Sequence, residues 1–427
     1  MRPSRHLAQR ARSVLASCII VLPMAAGCAP PIMPILGPTW ARHTIDDASR
    51  GADGVRLADV NGDGLMDIAT GWEEGGQVRV CINPGPAQVT SRWPAVTVGQ
   101  VGSPEDAVFV DLDNDGAVDV VSACEGSVRT LWIHWAPADP TEYLNPAAWQ
   151  TQALPASRDA RQWMFCLPMQ IDGQHGLDLI AGAKGQEARI GWFEAPANPR
   201  DLSGWQWHPI YDAGWIMSLV AVDMDDDGDL DVVTSDRRGA GRGCLWLENP
   251  GPGPAQHASW PVHRIGGEDH EVMFLTLADL DRDGLTDVLA ATRDDDLLYF
   301  RRTSAAPDTW QRHTIYLPAG TGTGKAVNVA DVNIDGRPDI VFTCEHARDA
   351  SGVVWLSYVT APTDPFWVAH EISGPVGTKY DLVELLDLDA DGDLDVLTCE
   401  EAENLGVIWY ENPRRRAADK RSPATAR

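Results

Sequence analysis

A six-residue segment opening on Trp is written seven times in this 427-residue chain, at spacings of 50 to 57 residues, and five of the copies have the form Trp-x-x-His-x-Ile. The copies read WARHTI, WPAVTV, WQTQAL, WQWHPI, WPVHRI, WQRHTI and WVAHEI. Between successive copies lies an aspartate-rich loop that runs into Asp-Ile, Asp-Val or Asp-Leu. The same parts returning in phase at this period predict one closed array of similar units, not a string of unrelated domains.

Each unit divides into four short runs with the alternation, β-branched content and Gly/Pro/Asn punctuation of strands. The first leads into the loop (VRLADV, AVFVD, LVAVD), and the second leaves it (DIATG, DVVSA, DVLTC). The third ends in a turn (WFEAP, WLENPG, WYENP), and the fourth is the Trp segment. Four antiparallel strands in seven units predict an all-β, seven-bladed β-propeller over residues 39–413. Trp40–Ile45 precedes every loop and no Trp segment follows Pro413. The N-terminal strand is therefore expected to complete the last blade as its outermost strand.

The loops share the spacing D-x-[DN]-x-D-G-x-x-D, which sets side-chain oxygens at positions 1, 3, 5 and 9. These are Asp59, Asn61, Asp63 and Asp67 in the first loop, and Asp111, Asp113, Asp115 and Asp119 in the second. Three further loops carry Asp223, Asp225, Asp227 and Asp231; Asp279, Asp281, Asp283 and Asp287; and Asp331, Asn333, Asp335 and Asp339. The last carries Asp387, Asp389, Asp391 and Asp395. Glycine at position 6 permits the sharp turn that folds these oxygens round one ion. An all-oxygen set of this kind suits Ca²⁺, and six structural Ca²⁺ sites are expected. No His or Cys lies in these loops, so zinc is disfavoured there. A degenerate copy, IDGQHGLD near Asp172 to Asp178, reads as one residue short, with Gly173 and His175 where oxygens are needed. No Ca²⁺ is expected in it.

Position 12 of the loops holds Thr70, Ser122, Thr234, Ala290, Phe342 and Thr398 inside strand-like runs, not the glutamate and helix of an EF-hand. The six copies in phase resemble the FG-GAP/VCBS repeat family, which includes the integrin α-subunit propeller. The resemblance implies that the loop joins the innermost strand to the next and that its ion is mainly structural.

The formal net charge of −28 arises from 62 acidic residues against 34 Lys and Arg, but 25 of the acids lie in the six intact loops. Six divalent ions would bring the charge to about −16. The balance still argues against a nucleic-acid partner, whose binding rests on clustered Lys and Arg.

Arg2, Arg5, Arg10 and Arg12 precede an apolar run from Val14 to Ala26, the pattern of a bacterial export signal over residues 1–28 and too short to span a bilayer. Its AAGC ending resembles the lipobox of bacterial lipoproteins, which implies a lipid on Cys28, although Ala25 stands where that motif usually has Leu. Secretion with cleavage nearby is the alternative. Either way the protein is expected to be exported, with no membrane link other than that lipid. Residues 29–38 read as a Pro-rich tether and 414–427 as a disordered basic tail. The six remaining cysteines are expected to be mostly free, buried thiols, and the protein a monomer.

If the aspartate loops share one face, the opposite face carries the starts of the innermost strands and the turns after the second strands. Period-2 counting back from each loop sets Arg56, Val108, Val220, Thr276, Asn328 and Glu384 on the central channel. Candidate ligand contacts on this face are Arg56, Asp106, Arg161, Trp163, Trp215, Lys325, Asn328, Tyr380 and Glu384. Such a mix of charge and aromatic rings suits a glycan, with an extracellular protein as the other partner class. The competing expectation is an enzyme. The W-x-E-N-P turns with these loops loosely resemble propellers of polysaccharide lyases and sugar dehydratases; separately, His270-Glu271 and Glu345-His346 come from adjacent blades and are expected to meet as an acid/base pair or a further metal site. The histidine that recurs in the Trp segments (His43, His208, His263, His313, His370) is expected to be structural.

Overall fold

The second strand of each repeat shows why the sequence folds as it does. Asp67–Trp72, Asp119–Cys124, Asp231–Asp236, Asp287–Thr292 and Asp395–Glu400 are buried at every residue. Short, nearly continuous apolar runs of this kind are what a strand covered on both faces requires. The fourth strands, such as Gln206–Asp212, alternate between exposed and covered positions because only a rim lies outside them. The computed structural model describes residues 33–306 and 309–413, and within them each unit forms one four-stranded antiparallel sheet in chain order. Seven such sheets make a seven-bladed β-propeller. No described helix is long and apolar enough to cross a membrane. The export signal, Cys28 and the basic tail lie outside the described residues.

The ring closes as the order of repeats predicts. Ala41–Asp46 pairs antiparallel with Gly406–Glu411, from Ala41 opposite Glu411 to Thr44 opposite Ile408. The His43 ring bonds Glu411 at 3.0 Å across the join. One segment differs from expectation: within the supposed tether, Ile35–Leu36 pairs parallel with Val368–Glu371 of blade six. The outer strand of that blade would otherwise present unpaired N–H and C=O groups, and two residues of passing chain cover them.

The repeated Trp closes each blade. Trp93, Trp205, Trp260 and Trp367 are buried, and their indole N–H groups donate to Val89, Pro199, Gln256 and Asp364 carbonyls at 2.9–3.1 Å. Each thus buries a large apolar ring while pinning the loop before it. The recurring His lies against the aromatic residue of the neighbouring third strand: His43 on Trp409, His263 on Trp246 and His370 on Trp355, with centroids 4.5, 4.4 and 3.7 Å apart. Its role is packing between strands. All six cysteines among the described residues are free and buried.

Candidate functional site

The turn from first to second strand builds the aspartate loops. In all six intact loops the position-1 carboxylate accepts the N–H of the position-6 glycine, from 2.8 Å for Gly64 on Asp59 to 3.1 Å for Gly116 on Asp111. These glycines have φ of 84 to 97°. At Gly64 and Gly228 a Cβ would meet no atom within 4 Å, so backbone conformation, not space, demands glycine.

Position 9 has a second task. The Asp67 carboxylate accepts the N–H of Val60 at 2.9 Å and of Asn83 at 2.8 Å, tying the loop to the end of the third strand. Asp119, Asp178, Asp231, Asp287 and Asp395 repeat this double bond. Burial pushes these carboxyls up, Asp67 to about 6 and Asp395 to about 8, against the pull of their backbone donors.

Carboxylate oxygens of Asp111, Asp113 and Asp115 lie within 4.8 Å of one another, as do those of Asp223, Asp225 and Asp231 and of Asp279, Asp281 and Asp287. Oxygen-only sets converging on a glycine turn fit a hard cation, so the residues present suit calcium. Three loops also have an arginine against their acids. Arg200 reaches Asp113 and Asp115, Arg301 reaches Asp281 and Asp283, and Arg337 reaches Asp335.

The blade-three loop requires a correction. It is a full nine residues, not one short: Ile171 N–H bonds Asp178 at 2.9 Å, the same seven-residue step found in the intact loops. Gln170 therefore stands at position 1, Asp172 at 3, Gln174 at 5 and His175 at the glycine position, where it takes φ of 53°. The Gln170 Oε1 keeps an aspartate's role by accepting from Gly173 N–H at 2.8 Å. Its Nε2 donates to the carbonyls of Gln174, at 3.0 Å, and of Gly176 at position 7. An amide nitrogen thus faces the carbonyl that a bound cation would use.

The opposite face is organised by β-bulges. A register shift interrupts the innermost strand of every blade close to its start. Six positions before the loop, at or within these shifts, stand Asp53, Glu105, Met164, Met217, Met273, Lys325 and Asp381. A bulge re-aims side chains that strict alternation would send elsewhere. Blades six, seven, one and two thus contribute charge to the wall of the mouth, and blades three to five contribute methionine; all but Glu105 are buried.

Ionic contacts follow that charged arc and extend beyond it. Lys184 bridges Glu105, at 4.0 Å, and Glu125, and lies 4.7 Å from the Trp215 ring. Arg237 and Arg238 stack on the same ring at 4.5 and 4.8 Å. Both also bond Glu271 Oε1, at 2.6 and 2.8 Å, which Arg293 approaches at 3.6 Å. Arg293 bonds Glu345 at 2.8 Å, and Lys325 joins Asp381 at 3.1 Å. Asp53, Glu73 and Glu105 crowd within 4.8 Å. Burial, then neighbouring carboxylates, hold Asp53 well above the usual carboxylate range. Burial likewise pushes Glu105 up to about 8 against the pull of Lys184. Burial would raise Asp381 too, but Lys325 and Lys379 outweigh it and keep that carboxyl low.

Below the mouth, Arg56, Val220, Thr276, Asn328 and Glu384 line a cavity of about 260 Å³, as period-2 counting predicts. Arg56 bonds the buried Asp106 at 2.8 Å, and Asn328 donates to the Val383 carbonyl at 3.0 Å.

Several candidates stand elsewhere than expected. Trp163 is fully buried, with its indole N–H on the Ser157 carbonyl and Arg161 over its ring at 5.5 Å. Tyr380 is fully buried, with its hydroxyl 2.9 Å from that of Tyr410. Neither presents a ring to a ligand, because the bulge ends leave both inside the blade packing. The acid/base quartet comes together only in part: His346 lies 3.8 Å from Glu345 and 3.4 Å from Arg293, and His270 stands apart. His270 turns to Asp269 at 2.9 Å and Asp296 at 3.5 Å, whereas His346 bonds Thr323 at 3.0 Å. Arg293 stands between Glu271 and Glu345. Sequence reasoning missed Asp53, although its six-residue offset from the loop, shared with Lys325 and Asp381, is the signal that finds it.

A family model described as FG-GAP-like repeat matches residues 59–122 and 279–342. No curated protein matches the chain. Among solved structures, a crystal structure of BBS1N in complex with ARL6DN, soaked with lead, is similar with a TM-score of 0.53 and 11% identity, covering 89% of this chain and 98% of that one. The mercury-soaked counterpart gives a TM-score of 0.49 at 11% identity, covering 86% of this chain and 97% of that one. The likeness is one of fold.

Proposed function

We propose that this FG-GAP-repeat β-propeller is an exported, calcium-stiffened recognition domain that binds an acidic glycan on the face opposite its aspartate loops. The observation that carries the reading is the convergence of Arg237, Arg238 and Arg293 on the single Oε1 of Glu271. Glu345, also bonded to Arg293, is shared with Lys325, so cationic charge remains in excess at this point of the mouth. Guanidinium groups offer planar paired donors that match a uronate carboxylate or a sulfate. Trp215 is not a bare stacking platform, since Lys184, Arg237 and Arg238 already lie against its ring; it orders the cations instead. Export is supported by the arginines before the apolar run Val14 to Ala26, and calcium by the converging oxygens of the loops.

The test is binding of the full chain, in calcium, to a panel of uronate-containing, sulfated and neutral oligosaccharides. Preference for acidic members, reduced at least about tenfold by Arg238→Ala combined with Arg293→Ala, the two more exposed guanidinium groups, is expected. Equal binding of neutral members, or no loss in the double variant, would overturn the reading.

A further inference from the structure

We infer that Glu194, His208 and His257 form a site for a divalent transition-metal ion of the zinc class at the outer rim, joining blades three and four. The inference is independent of the recognition face. A pair made by the Trp-segment histidine and the glutamate two residues after the third-strand Trp recurs in three blades: His43 with Glu411 at 3.0 Å, His208 with Glu194 at 2.8 Å and His263 with Glu248 at 2.6 Å. In blade three the pair is joined by a second imidazole. His257 Nε2 lies 3.5 Å from the same Glu194 Oε2, and the two histidine rings meet edge to face with centroids 4.4 Å apart. Both rings lie against Trp192, with centroids 4.9 and 5.4 Å away, and packing explains that contact. It does not explain two ring nitrogens aimed at one carboxylate oxygen.

The spacing suits coordination. Zinc bonds of about 2.0–2.2 Å to N and O set tetrahedral ligand atoms roughly 3.3 Å apart. The two nitrogen–oxygen distances, 2.8 and 3.5 Å, bracket that value, so an ion can enter with small side-chain shifts. Two imidazoles and one carboxylate leave a fourth position, and the His257 side chain, 40% exposed, opens it to water.

The second histidine is also held in place. It ends the short turn Pro254–His257 between the third and fourth strands of blade four. The preceding Gln256 is buried; its carbonyl accepts both the Trp192 and the Trp260 indole N–H at 3.1 Å, and its Nε2 donates to Ile171 O at 2.7 Å. His208 and Glu194 face each other across paired strands, Gln206–Asp212 and Arg189–Glu194. A site whose ligands sit on fixed backbone loses little entropy on binding. Coordination through both Nε2 atoms requires the Nδ1–H tautomer of each ring, which leaves the Nε2 lone pairs for the metal.

The experiment is calorimetric titration of the full chain with Zn²⁺ in a large excess of Ca²⁺, which occupies the oxygen-only loops. One Zn²⁺ per chain is expected, with affinity lowered at least about tenfold by His257→Ala or Glu194→Gln and unchanged by His370→Ala, whose ring bonds Ser357 and stacks on Trp355. Co²⁺ in place of Zn²⁺ should give the visible absorption of a tetrahedral site in the native chain and lose it in His257→Ala. His257 is exposed at the rim, so that variant should melt as the native protein does in the absence of zinc. No calcium-resistant Zn²⁺ binding, or full affinity and an unaltered cobalt spectrum in His257→Ala, would overturn the assignment.

Discussion

Six of the aspartate loops and the seventh, in blade three, reach the same turn by different chemistry. The intact loops gather three or four carboxyl or amide oxygens on a glycine turn, so their negative charge needs a cation or an arginine. In blade three the amide of Gln170 supplies acceptor and donor together, and the loop is satisfied from within. Both kinds keep the buried position-9 aspartate, Asp178 no less than Asp67 or Asp231. That residue belongs to the β-architecture as much as to any ion. The motif thus joins two separable parts, a backbone clamp and a set of oxygens that could hold a cation.

Removing calcium should separate the two kinds of loop most forcefully. Each site held at a hundredfold excess over its dissociation constant contributes about 2.7 kcal/mol, so chelation should lower the melting temperature by roughly 10 °C or more. An unchanged midpoint would mean that the loops are not cation cups. Hydrogen exchange during chelation should rise in the six intact loops and not at residues 170–178.

The clamp is tested by Asp178→Ala. It strands the N–H groups of Ile171 and Ala195 in a buried setting and should cost about 3 kcal/mol, equally with and without calcium. A calcium-dependent cost would place an ion in blade three. Grafting the cup tests the converse. Gln170→Asp with Gln174→Asp and His175→Gly should gain a calcium site and, in chelator, lose about 1–2 kcal/mol from unpaired carboxylates. Equal stability in both conditions would show that the amide is not standing in for the ion.

The opposite face crowds carboxylates differently, by burial beside bulges, and the contrast appears as a pH effect. Glu105 is raised to about 8 in the folded chain, above its ordinary 4.5, so the folded state holds that proton longer than the unfolded state. Its contribution is present below the unfolded value and is lost as pH rises towards 8, at up to about 1.4 kcal/mol per pH unit. Denaturant melts at fixed calcium should show stability falling across that window, and Glu105→Gln should flatten the fall. A variant with the native slope would assign the effect to other groups.

The sequence made the propeller, its closing strand and the channel residues Arg56, Asn328 and Glu384 legible, because period-2 alternation survives from the loop back to those positions. It failed just beyond them. The bulges shift the register, so Trp163 and Tyr380 are buried while Asp53 enters the mouth. The blade-three loop is hard to read because Gln170 bears no resemblance to an aspartate in a one-letter pattern, although its Oε1 accepts the position-4 N–H as Asp59 does in blade one. The meeting of Glu194, His208 and His257 depends on a turn in the next blade, which no repeat spacing reveals.

The two kinds of loop imply six cation sites and one amide substitute on the same scaffold. Calcium stoichiometry of the full native chain, by equilibrium dialysis in parallel with the Gln170→Asp, Gln174→Asp, His175→Gly variant, tests this count most directly. Six ions are expected in the native chain and seven in the variant. Seven in the native chain, or no gain in the variant, would contradict that count.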